Sequence, residues 1–203
     1  MSRVKICGAF RVEDIAAVNI VLPDYVGFVF AHSSRRVDLK TAAALRERLD
    51  PGIKTVGVFV DEDITVVSKA YGSGIIDLAQ LHGDEDGEYI KRLRNACGCP
   101  VIKAVGIGGV LPPLPVGADY LLFDSLSKRR GDACGAFDWN VLKGYTGTPY
   151  FLAGGLTPGN VAGAIDLLSP FCVDVSGGVE TGGKKDAEKI EKFVYAVRGV
   201  ING

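Results

Sequence analysis

The residues best suited to chemistry stand in the first strand-like run of the chain, Val4-Lys5-Ile6-Cys7-Gly8. Side chains of a β-strand alternate between its two faces, so Lys5 and Cys7 point to one face while Val4 and Ile6 point to the other. A thiol near its reference pKa of about 8.5 is mostly protonated at neutral pH. Lys5 lies about 6.6 Å along the strand from Cys7. We therefore expect Lys5 to lower the pKa of the thiol.

Length and composition indicate an ordinary globular protein. The 203 residues fit one domain over residues 1–203. Hydrophobic residues make up 47% and charged residues 23%, and the net charge of -1 gives no support to a nucleic-acid partner. No apolar run approaches the roughly 18 residues of a membrane span, so no membrane partner is expected. The strand pattern begins almost at the first residue, which leaves no room for a signal peptide.

The chain has five cysteines, at positions 7, 97, 99, 134 and 172. An odd number without a secretion signal predicts reduced thiols and a cytoplasmic protein. Cys97-Gly98-Cys99 would suit a redox or metal protein, but a lone C-x-C without a second Cys/His pair is weak evidence for metal. We expect no metal, and we expect Cys172, in an apolar strand, to pack in the core.

Apolar runs along the chain predict eight strands that alternate with helices. The strands are expected at about residues 4–7, 25–30, 54–60, 75–81, 101–105, 120–123, 151–153 and 172–175, with a last helix over about 184–200. Continuous apolar runs are typical of parallel strands buried on both faces. They predict a single (β/α)8 barrel, the TIM-barrel fold. An open doubly wound sheet is the alternative, but no G-x-G-x-x-G follows the first strand.

One helix of this barrel is expected to be largely missing. Residues 106–118, between the fifth and sixth strands, contain four glycines and three prolines. This composition excludes a helix of normal length there.

The ends of the predicted strands give the candidate site. In such barrels the active site lies at the C-terminal ends of the strands, and phosphate commonly docks on the loops after strands seven and eight. Glycines in those two loops let the backbone approach an anion closely, although each alone would indicate only a tight turn. The candidate residues are Cys7, Gln80, His82, Asp124, Gly154, Gly155, Asp174, Ser176, Gly177 and Gly178.

Short motifs over nearly the whole chain resemble those of the phosphoribosylanthranilate isomerase family. In chain order they are Lys5-Ile6-Cys7-Gly8, Gly27–Phe30, Gln80–Glu85, Phe137–Trp139, Leu152–Leu156 and Val173–Ser176 with Gly178–Glu180. The resemblance implies an Amadori rearrangement of N-(5-phosphoribosyl)anthranilate to 1-(2-carboxyphenylamino)-1-deoxyribulose 5-phosphate, in tryptophan biosynthesis. It implies a small-molecule phosphosugar substrate and no cofactor.

The resemblance also implies an acid–base pair, with Asp124 as general acid and Cys7 as general base. The acid protonates the furanose oxygen, so that the ring opens to an iminium. The base then removes the C2 proton, which the iminium makes more acidic. The substrate's own nitrogen is the electron sink, which is why no cofactor is needed. Asp124 must hold a proton, so we expect few charged donors near it.

An arginine after the second strand is implied as the partner of the anthranilate carboxylate, since a guanidinium binds a carboxylate through two hydrogen bonds. Two registers are open. We prefer Ser33-Ser34-Arg35, while the ungapped alternative places Arg36 in that role.

Four further residues are expected among the substrate contacts, namely Lys5, Gln80, His82 and Asp174. Asp174 would accept a hydrogen bond from the substrate's amine or from a ribose hydroxyl. The alternative is an ion pair with Lys5 or Lys103 inside the barrel. His82 would orient the substrate or cap the following helix.

The chain departs from the family pattern at three places. Residues 131–136, Gly-Asp-Ala-Cys-Gly-Ala, lack the usual hydroxyl before Phe137, which puts the phosphate contacts of this loop in doubt. Ala9-Phe10 leaves the first helix without its usual N-cap hydroxyl. Gly177 replaces a more common serine or asparagine and should loosen its turn.

Rival functions remain open at this point. An isomerase of histidine biosynthesis, or a dual-substrate barrel, would call for an aspartate where Cys7 stands. A non-catalytic phosphate-binding barrel would leave Cys7 inert, and a redox or metal protein would use Cys97 and Cys99. The sequence allows a monomer or a homodimer.

Overall fold

The computed structural model describes residues 1–125 and 136–199. Eight parallel strands close a barrel in chain order, and β8 pairs with β1. The predicted (β/α)8 barrel is therefore confirmed. The strands are β1 (Arg3–Cys7), β2 (Tyr25–Val29), β3 (Lys54–Phe59), β4 (Leu78–Leu81), β5 (Val101–Ile107), β6 (Tyr120–Ser125), β7 (Tyr150–Leu152) and β8 (Cys172–Val175).

Helices cover the outside of the barrel. Residues 108–119, all of them described, form no helix, so the helix expected to be missing after the fifth strand is missing. None of the helices in residues 1–125 and 136–199 has the length and apolarity to cross a membrane. The α-helices are α1 (Val12–Val21), α2 (Leu39–Arg46), α3 (Ile64–Gly72), α4 (Gly87–Cys97), α5 (Val161–Leu168) and α6 (Ala187–Arg198), with short 3-10 turns at Trp139–Leu142 and Gly177–Val179.

Acidic residues begin most of these helices. The Asp86 carboxylate accepts from the Tyr89 N–H and caps α4, so the expectation that His82 caps this helix is wrong. Helix α1 lacks an N-cap hydroxyl, as expected, but Asp14 accepts from the backbone N–H groups of Phe10 and Arg11 instead. Each carboxylate satisfies N–H groups that have no partner within the helix.

A short antiparallel hairpin stands where the sequence suggested the start of the last helix. Its strands are β9 (Glu180–Thr181) and β10 (Lys184–Lys185). Gly182 and Gly183 have φ values of 59° and 74°, the positive values that a two-residue hairpin turn requires. Helix α6 consequently begins at Ala187, three residues later than expected.

The bottom of the barrel interior is filled by an apolar plug. Tyr25, Leu122, Phe151 and Cys172 belong to it, and the Tyr25 and Phe151 rings meet edge to face with centroids 5.5 Å apart. Cys172 is fully buried there, so its predicted packing role is confirmed. Because the plug fills this end, a cavity within the barrel has to open at the other end.

Candidate active site

A cavity of about 730 Å³ opens at the C-terminal ends of the strands. This volume is in the range of small-molecule sites. Of the thirteen residues expected in the site, Lys5 and Arg36 are not in its wall. The other eleven line it, namely Cys7, Arg35, Gln80, His82, Asp124, Gly154, Gly155, Asp174, Ser176, Gly177 and Gly178.

Lys5 and Asp174 form an ion pair within the barrel, and Asp174 also lines the cavity. The Lys5 Nζ lies 3.0 Å from the Asp174 Oδ1, and the Lys5 side chain is fully buried. Burial alone would lower the pKa of Lys5, but the Asp174 carboxylate and the Cys7 thiolate outweigh it, so the pKa is raised. Lys103 is not the partner of Asp174, because its Nζ lies 2.9 Å from Glu85 in the β4–α4 loop. Lys5 is therefore a fixed positive charge below the cavity.

Cys7 points to the same face as Lys5, as the strand alternation predicts. A Cβ placed on Gly27 would lie 2.8 Å from the Cys7 Sγ and 3.3 Å from the Lys5 Nζ. Burial raises the pKa of the Cys7 thiol, and the lowering effects of Lys5 and Lys185 do not overcome it. The expectation of a lowered pKa is thus wrong for the chain without substrate. Lys5 acts in the expected direction, but desolvation of the thiolate is larger.

Asp124, near the end of β6, is prepared to hold a proton. Burial, reinforced by the negative charge of Asp174, raises the pKa of Asp124 to about 6. Its Oδ1 accepts from the Ser125 N–H at 2.7 Å, and its Oδ2 lies 3.7 Å from the His82 Nε2. Burial and the nearby Lys5 lower the pKa of His82 to about 4, so the imidazole is neutral at pH 7. Among the described residues Lys5 opposes this rise in the pKa of Asp124, but burial and the charge of Asp174 outweigh it.

Gln80 and His82 form a small hydrogen-bonded unit at the end of β4. The Gln80 Nε2 lies 3.0 Å from the His82 Nδ1. This contact fixes the orientation of the imidazole and turns its Nε2 toward Asp124. His82 is therefore a neighbour of the predicted acid rather than a helix cap.

The two candidate arginines have different surroundings. Arg35 lines the cavity and binds the Glu180 carboxylate through its Nε and Nη2, each at 2.7 Å. Arg36 donates from its Nε to the Phe30 carbonyl and is not in the cavity wall. The geometry favours the preferred register, with Arg35 at the site.

Glycines bring the loops after β7 and β8 into direct contact. Gly154 and Gly155 have φ values of 82° and 65°, a region that other residues avoid. A Cβ on Gly178 would lie 1.9 Å from the Leu156 carbonyl oxygen. The backbone of the eighth loop therefore packs against the seventh, and both line the cavity where a phosphate is expected.

Gly178→Ala is expected to push these loops apart. The added methyl group overpacks the contact, which should lower the free energy of unfolding by about 1–3 kcal/mol and raise the KM for a phosphorylated substrate. Gly163→Ala is the matched control, because nothing lies within 4 Å of the new Cβ in α5. That substitution should stabilise the protein by about 0.5–1 kcal/mol. Thermal unfolding and steady-state kinetics measure both effects, and a Gly178→Ala variant as stable and active as Gly163→Ala would contradict the contact.

The sequence analysis missed the participation of Glu180 and Lys185. The Lys185 Nζ donates to the Glu180 Oε1 at 2.7 Å and to the Ser176 carbonyl at 3.1 Å. The available signal was Glu180 at the end of the eighth-strand motif, followed by the glycine pair of the hairpin.

Within residues 1–125 and 136–199, no group of three or more His, Cys, Asp or Glu side chains could hold a metal ion. Cys97 and Cys99 have free thiols and do not line the cavity. The departure at residues 131–136, with Asp132, Ala133 and Cys134, falls almost wholly outside the described residues.

A closed parallel barrel with a thiol, a carboxyl group of raised pKa, an arginine and two glycine-rich loops at its mouth is typical of a barrel enzyme that acts on a small molecule. Residues 4–196 match the family model described as N-(5'-phosphoribosyl)anthranilate (PRA) isomerase. The chain belongs to this family.

Relatives with known names support the assignment over the full length. The N-(5'-phosphoribosyl)anthranilate isomerase of Caldanaerobacter subterraneus subsp. tengcongensis is 47% identical over 206 residues, covering 99% of this chain and 100% of the relative. A phosphoribosyl anthranilate isomerase in complex with reduced 1-(o-carboxyphenylamino)-1-deoxyribulose 5-phosphate superposes with a TM-score of 0.82 at 33% identity, covering 98% of this chain and 100% of the other. Monomers generated from the dimeric phosphoribosylanthranilate isomerase of Thermotoga maritima superpose with a TM-score of 0.81 at 32% identity, covering 98% of this chain and 100% of the other.

Proposed function

We propose that this chain isomerises N-(5'-phosphoribosyl)anthranilate to 1-(2-carboxyphenylamino)-1-deoxyribulose 5-phosphate, a step of tryptophan biosynthesis. The observation that carries the proposal is that Cys7 and Asp124, two groups able to exchange protons, line one cavity with Arg35 and the glycine loops. The cavity thus provides for every part of the substrate, which has a carboxylate, an amine, a sugar ring and a phosphate.

Asp124 begins the reaction as general acid. Its proton passes to the furanose oxygen, the C1–O bond breaks, and the nitrogen lone pair forms the C1=N iminium. Bound substrate excludes water from the carboxyl group and brings its own negative charges, and both effects raise the pKa of Asp124 further above 6. The protonated form therefore becomes more abundant once substrate is bound.

Cys7 then acts as general base on C2. The iminium cation lowers the pKa of the thiol at the moment when the thiolate is needed, and Lys5 and Lys185 add to this effect. Removal of the C2 proton sends the C–H electrons into the C1–C2 bond and returns the lone pair to nitrogen. The resulting enolamine tautomerises to the ketone. The Cys7 thiol releases its own proton to solvent before the thiolate takes the C2 proton. Transfer of the C2 proton from Cys7 to Asp124, and return of one solvent proton to Cys7, then restore the starting state.

The remaining groups bind and orient the substrate. Arg35 binds the anthranilate carboxylate, while Gly154, Gly155, Ser176, Gly177 and Gly178 hold the phosphate. Asp174, fixed by Lys5, accepts from the amine or a ribose hydroxyl. Lys5 reaches the substrate only through Asp174, and Gln80 acts through His82.

Turnover of phosphoribosylanthranilate, followed as the loss of its fluorescence, tests the proposed function. The wild-type chain should remove the signal at a rate proportional to enzyme concentration and form the ribulose product. A folded chain that gives no turnover at high concentration would contradict the proposal.

We propose further that the enzyme works in the cytoplasm, consistent with free thiols at Cys7, Cys97, Cys99 and Cys172. The related dimeric enzyme makes a homodimer a candidate beside the monomer. Sedimentation at micromolar concentration distinguishes the two.

A further inference from the structure

Glu180 is a buried carboxylate at the cavity mouth that takes no part in the proposed proton transfers. Its side chain is 6% exposed. It accepts three hydrogen bonds of 2.7 Å, from the Arg35 Nε, the Arg35 Nη2 and the Lys185 Nζ. These donors hold the pKa of Glu180 below its usual value although burial opposes them. Glu180 is therefore an ionised, immobile anion against the arginine of the site.

Glu180 occupies only one edge of the Arg35 guanidinium. A guanidinium has five N–H donors, and the Nε–Nη2 edge is the one bound to Glu180. The Nη1–Nη2 edge can bind a second carboxylate through two parallel hydrogen bonds. In the described part of the chain no hydrogen-bond partner of Nη1 is found, and Arg35 lines the cavity. The open edge is thus available to a ligand carboxylate.

The aliphatic part of the Arg35 side chain is confined as well as the guanidinium. It crosses Gly8, where a Cβ would lie only 2.6 Å from the Arg35 Cδ, and Gly8 has a φ of 80°. Gly8 directly follows Cys7. The guanidinium is therefore fixed beside the end of β1, next to the thiol that removes the proton.

Lys185 keeps the cluster positive. Its side chain is fully buried, and besides Glu180 it contacts the Ser176 carbonyl. Two cations and one anion leave a net charge of +1 on the cluster. Without Lys185, the Glu180 charge would cancel that of Arg35 and weaken its attraction for a carboxylate.

We infer that Glu180 is a positioning residue that holds Arg35 with its Nη1–Nη2 edge toward the substrate's carboxylate, while Lys185 offsets the Glu180 charge. The inference rests on the proposed function, because it needs a substrate that bears a carboxylate. It assigns the hairpin β9–β10 a role in substrate specificity, since the hairpin carries both Glu180 and Lys185.

Glu180→Gln tests this role with two substrates, phosphoribosylanthranilate and the matching phosphoribosyl adduct of aniline, which lacks the carboxylate. The amide cannot accept from both arginine donors and remain paired with Lys185. We expect the KM for phosphoribosylanthranilate to rise about 10- to 100-fold with little change in kcat, because the lost contact orients a group that binds the carboxylate, and the carboxylate itself does not react. The kcat/KM for the aniline adduct should stay near the wild-type value. Lys185→Met should raise the same KM.

Two further variants serve as controls for Glu180→Gln. Glu188→Gln removes an exposed carboxylate that is paired with Lys192 on α6, and it should behave as wild type. Glu180→Asp keeps the charge but shortens the side chain, so it should also raise the KM and serves if the glutamine variant does not fold.

Three results would overturn the inference. A KM that falls or stays constant would mean that Glu180 only screens Arg35. Equal losses with both substrates would mean a general effect on the fold. A wild-type chain that does not turn over phosphoribosylanthranilate would overturn the proposed function and this inference together. If the wild type is active and Glu180→Gln has the same KM, only this inference is overturned.

Discussion

Asp124→Asn is expected to lower kcat by about 10²- to 10⁴-fold, because the amide keeps the shape of the side chain but cannot supply a proton to the furanose oxygen. Binding should survive, since Arg35 and the glycine loops are unchanged. Stopped-flow kinetics together with titration of a reduced product analogue separates the two effects. Asp38→Asn is the matched control, because Asp38 is an exposed N-cap of α2 and asparagine caps a helix equally well. A kcat near the wild-type value in Asp124→Asn would place the acid elsewhere.

The same substitution should change how stability depends on pH. The pKa of Asp124 is raised to about 6 in the folded chain, against about 3.9 when unfolded. Between these values the folded protein binds more protons than the unfolded one, so stability falls as pH rises through about 4 to 6. Asparagine does not ionise. The Tm of Asp124→Asn should therefore exceed that of the wild type at pH 7 and lose this advantage at pH 4. Such a result would mean that ionised Asp124 lowers the stability of the folded chain at neutral pH, although the reaction requires this residue.

Cys7→Ser is expected to lower kcat by a similar factor, about 10²- to 10⁴-fold, because a hydroxyl is a far weaker base at neutral pH than a thiolate. Ring opening, which needs only Asp124, should continue in this variant. Cys97→Ser provides the control, since Cys97 is a half-buried thiol at the end of α4 and is not in the cavity wall. It should retain the wild-type rate. Full activity in Cys7→Ser would show that another group removes the C2 proton.

The barrel could be predicted because its sequence pattern is local. The eight strands are mostly apolar on both faces, and a parallel sheet covered by helices is the arrangement that buries both faces of such strands. The prolines and glycines of residues 106–118 likewise exclude a helix without reference to the rest of the chain.

The hairpin at 180–185 could not be predicted in the same way. Each of its strands has two residues, too short to show alternation, and Lys184-Lys185 suits the start of a charged helix equally well. What distinguishes it is the conformation of Gly182 and Gly183, which the sequence permits but does not require.

Electrostatic effects at the site were the least predictable. Strand alternation correctly places Lys5 beside Cys7, but the sign of the thiol's pKa shift depends on burial, which only the folded chain reveals. The role of Glu180 depends on Arg35, a partner 145 residues away. Sequence alone could not separate Arg35 from Arg36, because a loop has no periodicity that fixes which side chain faces the cavity.

The central claim is that Asp124 opens the ring and Cys7 removes the C2 proton. The most direct test is the deuterium isotope effect on kcat for substrate labelled at C2, measured in the weakened variants Asp124→Glu and Cys7→Ser. Slow ring opening in Asp124→Glu should hide C–H cleavage, so the isotope effect should be near unity. Slow C–H cleavage in Cys7→Ser should give a large normal effect. A large effect in Asp124→Glu with none in Cys7→Ser would contradict the assigned roles.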